Sequence, residues 1–162
     1  MLKISTKGRY GIRAALDLAM HGKKGPVFLA DIAKRQRIPR RYLGHLMTAL
    51  RDAGIVTSLR GAGGGFSLAR DASEIRILEL FEALEGPVLP IDCIKDPEKC
   101  PRMESCIPRG LWRKISEAVV RELSAVTLSD LSTEQELTDT RILNAVGKES
   151  PASTDKEIEN VQ

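Results

Sequence analysis

Apolar residues recur at helical spacing in several separate stretches of the chain, and once they change to short extended runs. Ser5 or Thr6 can cap a first helix whose apolar positions are Ile12, Ala15, Leu16 and Ala19, and which stops between Gly22 and Pro26. A second helix follows from Leu29 to Gln36, with Leu29, Ile32 and Ala33 facing inward. Pro39 suits the first turn of a third helix, where its missing N–H costs nothing. Leu43, Leu46, Met47 and Leu50 make that helix's buried stripe, and Gly54 ends it. Two runs, residues 55–59 and 66–69, joined by a glycine-rich turn, predict a β-hairpin.

Beyond the hairpin, Ile77, Leu80, Phe81 and Leu84 predict a short amphipathic helix closed by Gly86-Pro87. Leu111, Ile115, Val119, Leu123 and Val126 then recur on a helix long enough to extend past a small core. Core packing inside one chain would account for that stripe, but a symmetric pairing of two chains fits it better, because heads of this size bind paired half-sites. From residue 144 the chain turns polar and charged, which predicts a disordered tail over 144–162. The fold class expected is mainly α with a small β-hairpin: a winged helix-turn-helix domain over 1–86, a cysteine-containing loop over 87–109, and a dimerisation helix with a short C-terminal helix over 110–143.

Charge sharpens this picture. The net +3 of the 162 residues conceals a division: residues 1–70 carry 14 Lys and Arg against Asp17, Asp31 and Asp52, whereas the rest carries 11 against 19 acids. So cationic a head in so small a protein points to phosphates, and with the helix, helix, turn, helix, hairpin order it points to double-stranded DNA. The exposed face of the third helix would carry Arg40, Arg41, Tyr42, His45 and Arg51, with Arg60 opening the wing; arginine can grip guanine acceptors bidentately or enter a narrow minor groove. Lys3, Lys7, Arg9 and Lys34 are assigned to phosphates. The turn Gly63-Gly64-Gly65 opens a strand and lacks the following Lys-Ser/Thr of a nucleotide loop. His21 reads as a helix-end residue and His45 as a surface hydrogen-bonding one.

All the cysteines, Cys93, Cys100 and Cys106, fall in one loop. Their gaps match neither zinc-knuckle pairs nor an even disulfide count. No run of 18 apolar residues occurs and residues 1–5 hold no secretion-signal core, so a cytoplasmic protein with no membrane partner is expected. A reducing compartment favours a metal or redox role for the thiols over a disulfide. No nucleophile–base pair and no H-E-x-x-H spacing appears, so an enzyme is not expected.

The stretch Lys3-Ile4-Ser5-Thr6-Lys7-Gly8-Arg9-Tyr10-Gly11, the segment Ala30-Asp31-Ile32-Ala33, the pair Tyr42-Leu43, the run Leu50-Arg51-Asp52-Ala53-Gly54-Ile55-Val56 and the wing Arg60-Gly61-Ala62-Gly63-Gly64-Gly65-Phe66 together resemble the IscR-type family of bacterial winged-helix transcription regulators, with its IscR, NsrR and CymR branches. The likeness spans residues 1–132. It implies a homodimer joined by the long helix after the loop, and an iron–sulfur cluster held by Cys93, Cys100 and Cys106, 2Fe-2S ahead of 4Fe-4S, that senses iron–sulfur status, oxygen or nitric oxide. The slot three residues after the last cysteine, histidine in IscR-like members, is Arg109, which offers iron no lone pair. The fourth ligand therefore stays open among Glu104, Glu98, Asp96, Asp92, His21 and an exogenous thiol or water. Where many relatives have Tyr-Leu-Glu-Gln, this chain has Tyr42-Leu43-Gly44-His45. The competing reading is a DNA-binding repressor that responds through zinc, thiol oxidation or a partner enzyme.

Overall fold

The computed structural model describes residues 4–61, 64–88, 94, 98, 100–102 and 105–146. Lys3, Cys93, Asp92, Asp96, Glu104 and residues 147–162 of the expected tail lie outside the described residues; 144–146 belong to a helix.

Helix α1 (Thr6–His21) is capped by Ser5, whose hydroxyl accepts from the amides of Lys7 and Gly8 at 3.0 and 3.4 Å. A second acceptor reaches the same helix end from far along the sequence. Glu85, at the end of α4 (Ile77–Glu85), takes hydrogen bonds from the amide and hydroxyl of Ser5 and from the amide of Gly8, at 3.1, 2.5 and 2.9 Å. Such closeness needs small residues on α1: a Cβ at Gly8 would run into the Glu85 carboxylate, and one at Gly11 into the side chain of Leu84. The buried face of α1 is therefore Gly8, Gly11, Ala14, Ala15, Asp17 and Leu18. Of the positions expected from periodicity, Ala15 is fully buried, while Ile12, Leu16 and Ala19 pack only partly against the core.

Helix α2 (Leu29–Gln36) stops at Arg37, which adopts the left-handed conformation at φ 52° and donates its amide to Ala33 and Lys34. Helix α3 (Arg40–Asp52) begins one residue after Pro39, which occupies the cap position and not the first turn, and ends before Gly54 at φ 71°. Its stripe Leu43, Leu46, Met47 and Leu50 is buried as the spacing predicts.

Strands β1 (Val56–Leu59) and β2 (Gly65–Leu68) pair antiparallel in the register Val56 to Leu68 and Leu59 to Gly65. Val27, just before α2, extends this wing by exchanging both backbone hydrogen bonds with Phe66, at 2.8 and 2.9 Å. The Val27 carbonyl passes over Gly65, where a Cβ would stand 2.7 Å from its oxygen.

Helix α5 (Ile107–Ala125) leads into α6 (Leu128–Val146). Between them the chain is extended: the Val126 carbonyl accepts from Ile77, Leu128 donates to Ile75, and Thr127 and Asp130 cap each other's amides. Leu128 is fully buried in the core. By contacts the chain divides into two compact units, Met1–Ser132 and Thr133–Gln162. The first contains the core, the wing and α5. The described part of the second is helical and exposes Leu137, Ile142 and Leu143.

Candidate nucleic-acid interface and cysteine loop

Burying Leu43, Leu46, Met47 and Leu50 turns the opposite side of α3 to solvent, so Arg40, Arg41, His45, Thr48 and Arg51 are all exposed. Among the described residues Arg40, Arg41, His45 and the wing's Arg60 make no hydrogen bond or ion pair through their side chains. Arg51 pairs only with its exposed neighbour Asp52, at 3.2 Å. Arg9, in the first turn of α1, donates to Thr6 at 3.4 Å, and Lys7 beside it is exposed. Unpaired guanidiniums on the surface are ready to exchange water for phosphate or a base edge.

Other basic residues of the cationic head have been taken into the fold. Asp17 is completely buried, yet it accepts from Arg35 Nε at 2.9 Å and Nη2 at 2.6 Å and from Gln36 Nε2 at 3.0 Å. Burial alone would raise its pKa; the hydrogen bonds from Arg35 and Gln36, with the charges of Arg35 and His21, outweigh burial and hold the carboxyl below its ordinary value. Arg13 donates to the side chain and carbonyl of Gln36 and lies over the Tyr10 ring, 5.5 Å from its centre. Tyr10 in turn meets Tyr42 edge to face at 6.2 Å. Tyr42, expected at the DNA face, thus has its half-buried ring engaged with α1. The bidentate Asp17–Arg35 bond joins α1 to α2, and the Tyr10–Tyr42 contact joins α1 to α3. Charge counting could not reveal the first, since Asp17 stands in the sequence as one acid among many bases. His21 ends α1, its ring nitrogen Nδ1 3.0 Å from the Asp17 carbonyl, as a helix-end residue should.

In the cysteine loop, Cys100 and Cys106 are free, half-buried thiols. Cys106 is the cap residue of α5, with the Arg109 amide donating to its carbonyl at 3.2 Å. The first turn of α5 holds no acid. Among the described residues Arg109 Nε is buried there without an acceptor, although a guanidinium is always charged and a buried donor left unpaired is costly. A helix N-terminus with an unsatisfied guanidinium suits thiolates and an anionic group bound by them. Among the described residues no three His, Cys, Asp or Glu side chains converge on a metal-sized site; Cys93, the first of the expected ligands, is not one of those residues. Glu98 is exposed.

On α5, Leu111 and Ile115 are exposed, at 55% and 39%, as are Ile107 and Trp112. Val119 and Leu123 line an apolar groove of about 290 Å³ with Ile4, Phe81 and Ala118. Val126 lies beyond the helix, in extended conformation, and packs with Leu123 against the core. The stripe read as one seam therefore divides: its start is open to solvent and its end belongs to the chain's own core. No helix among the described residues is long and apolar enough to cross a membrane.

Comparison with known proteins agrees with this architecture. The sequence model of the Rrf2 family, described as an iron-dependent transcriptional regulator, matches residues 4–134. The chain is 43% identical over 130 residues to the protein named rrf2 of Nitratidesulfovibrio vulgaris, covering 80% of this chain and 87% of that one. It is 41% identical over 138 residues to the HTH-type transcriptional regulator IscR of Photorhabdus laumondii, covering 85% and 84%. The solved structure of CymR, the global cysteine regulator of B. subtilis, superposes with a TM-score of 0.71 at 39% identity, over 83% of this chain and 98% of that one.

Proposed function

The chain belongs to the Rrf2 family of transcriptional regulators, which are not enzymes, and on that premise we propose that it is a cytoplasmic, homodimeric regulator whose affinity for an operator in double-stranded DNA is set by an iron–sulfur cluster held by Cys93, Cys100 and Cys106. The observation that carries the cluster is the head of α5, where Cys106 occupies the cap position with a free thiol that makes no capping hydrogen bond and the buried Nε of Arg109 lacks an acceptor among the described residues. Bound there, a cluster supplies an iron centre sensitive to oxidants and nitric oxide, and 2Fe-2S is favoured over 4Fe-4S.

The residues of the chain divide the work. Cys106 offers its sulfur at a positive helix end with Cys100 six residues before it, and Arg109, which cannot ligate iron, offers a charge and N–H donors to the anionic group. Arg40, Arg41, His45 and Arg60 face DNA from α3 and the wing, with Lys7 and Arg9 on phosphates. Leu111 and Ile115 meet a second copy of the chain, so that a change at the head of α5 is felt where two heads are held together. A coupling of about 1–3 kcal/mol between cluster and DNA would give roughly 5- to 150-fold regulation.

The test is an absorption spectrum with iron and acid-labile sulfide analysis on protein purified without oxygen, then DNA affinity of the loaded and stripped forms. Visible bands with comparable iron and sulfide, and an affinity that differs between forms, support the reading. Likeness to a cysteine regulator favours a second one, in which the free thiols respond directly to oxidation or bind zinc. A colourless, sulfide-free protein after reconstitution would select it.

A further inference from the structure

Glycine in a helix interior gives up backbone entropy that alanine would keep, so each such glycine calls for a reason. At Gly8 and Gly11 the reason is α4, which leaves no room for a Cβ. Gly110, where a Cβ would meet nothing within 4 Å, sits in the opening turn of α5. Gly44 is different. It lies inside α3, where the nearest heavy atom to an added Cβ would be Leu29 Cδ2 at 4.0 Å, an ordinary contact. Nothing within the chain requires a glycine there.

Its neighbours supply the reason. Arg40 stands one turn before Gly44 and Thr48 one turn after, with Arg41 and His45 alongside, and all four are exposed. The Thr48 hydroxyl donates to the Gly44 carbonyl at 3.0 Å, which holds the hydroxyl against the helix backbone. Cationic and polar side chains therefore flank a half-buried stretch of backbone at Gly44, where the one side chain near a Cβ position is the apolar Leu29.

We infer that Gly44 is a specificity-determining notch in the DNA-reading face, which admits the C5-methyl of a thymine against the helix backbone while the flanking arginines hold the duplex. The major groove offers that methyl group at A·T pairs alone. This inference rests on the DNA-binding reading. A side chain at position 44 would hold α3 away from the base without touching the phosphate contacts.

The experiment starts from a duplex pool with a randomised core, from which the wild-type protein selects its own site. Affinities are then read by fluorescence anisotropy for Gly44→Ala and wild type on the selected duplex, on a scrambled duplex, and on selected duplexes with single thymines replaced by uracil. Gly44→Ala is expected to melt about 2–4 °C higher and to bind the selected duplex about tenfold more weakly, with the scrambled duplex unaffected. One thymine-to-uracil replacement should cost the wild type about fourfold, the worth of one buried methyl group, and cost Gly44→Ala nothing further. Wild-type affinity in Gly44→Ala, or no thymine position that distinguishes the two proteins, overturns the inference. A wild type that selects no duplex at all removes the DNA-binding reading and this notch with it.

Discussion

Asp17 and Arg35 form a bidentate ion pair, at 2.6 and 2.9 Å, in which the carboxylate is wholly buried while the Arg35 side chain keeps a third of its surface in water. The pair fixes α2 against α1, and α2 in turn sets where α3 can lie. Removing the acid leaves Arg35 able to turn to solvent, so the loss should be smaller than for a fully buried pair. Asp17→Asn is expected to lower stability by about 2–3 kcal/mol, read as a shift in the urea midpoint.

The same pair has a pH signature. The folded pKa of Asp17 is depressed, so its contribution is fully present above the unfolded value of about 4 and is lost as pH falls through the lower folded value. Acid titration of stability should therefore be shallower in Asp17→Asn than in wild type below about pH 4, with no difference in slope around neutrality. A slope difference near neutral pH would locate the linkage elsewhere.

Gly11 provides the complementary test on the other side of α1. Alanine there improves helix propensity, but its methyl group must displace Leu84, which is almost completely buried at the end of α4. Overpacking outweighs propensity, and Gly11→Ala should be net destabilising by about 1–2 kcal/mol, whereas Gly44→Ala should be stabilising. Equal thermal shifts in the two variants would contradict the packing described here.

These two sites also show what the sequence does and does not reveal. On α3 the buried face is built from leucine and methionine, so its periodicity is plain and matches the structure residue by residue. On α1 the buried face includes two glycines and an aspartate, residues that no apolar pattern marks, and the visible stripe Ile12, Leu16 and Ala19 lies at its margin. Val126 continues the 3.6-residue spacing of α5, but the Thr127–Asp130 cap starts a new helix and Ile77 takes the Val126 carbonyl, so the regular pattern outruns the helix. At the site, the outward arginines were legible as types and spacings. Which of them are committed internally was not, because the partners of Arg13 and Arg35 are 23 and 18 residues away.

On the proposed reading, Arg60 is the residue that separates DNA binding from the thiol chemistry. It is exposed at the end of β1 and engages nothing else among the described residues. Arg60→Ala should weaken operator binding, lower the slope of log affinity against log salt by about 0.9 if the contact is a phosphate, and leave the visible spectrum unchanged. Cys100→Ala should do the opposite, losing colour and iron first. Bleaching by Arg60→Ala would show that wing and loop are not independent.

The division of the α5 stripe yields the final prediction. Ile115 is 39% exposed and stands outside the core cluster, whereas Leu123 packs against the core. If a second copy covers the exposed part, twofold symmetry places each substitution at the seam twice, and a buried carboxylate without a partner is strongly disfavoured there. Ile115→Asp should then raise the dimer dissociation constant by roughly 100-fold or more, measured by sedimentation equilibrium, while the helical circular dichroism of the protein is retained. Leu123→Ala should instead destabilise the fold by about 1–2 kcal/mol. If the pair grips two half-sites, each weak alone, Ile115→Asp should also reduce operator affinity steeply at low protein concentration and recover it at high concentration, a dependence that damage to the DNA face itself would not produce. An Ile115→Asp protein that remains dimeric at the dissociation constant of the wild type would place the pairing surface away from the exposed face of α5.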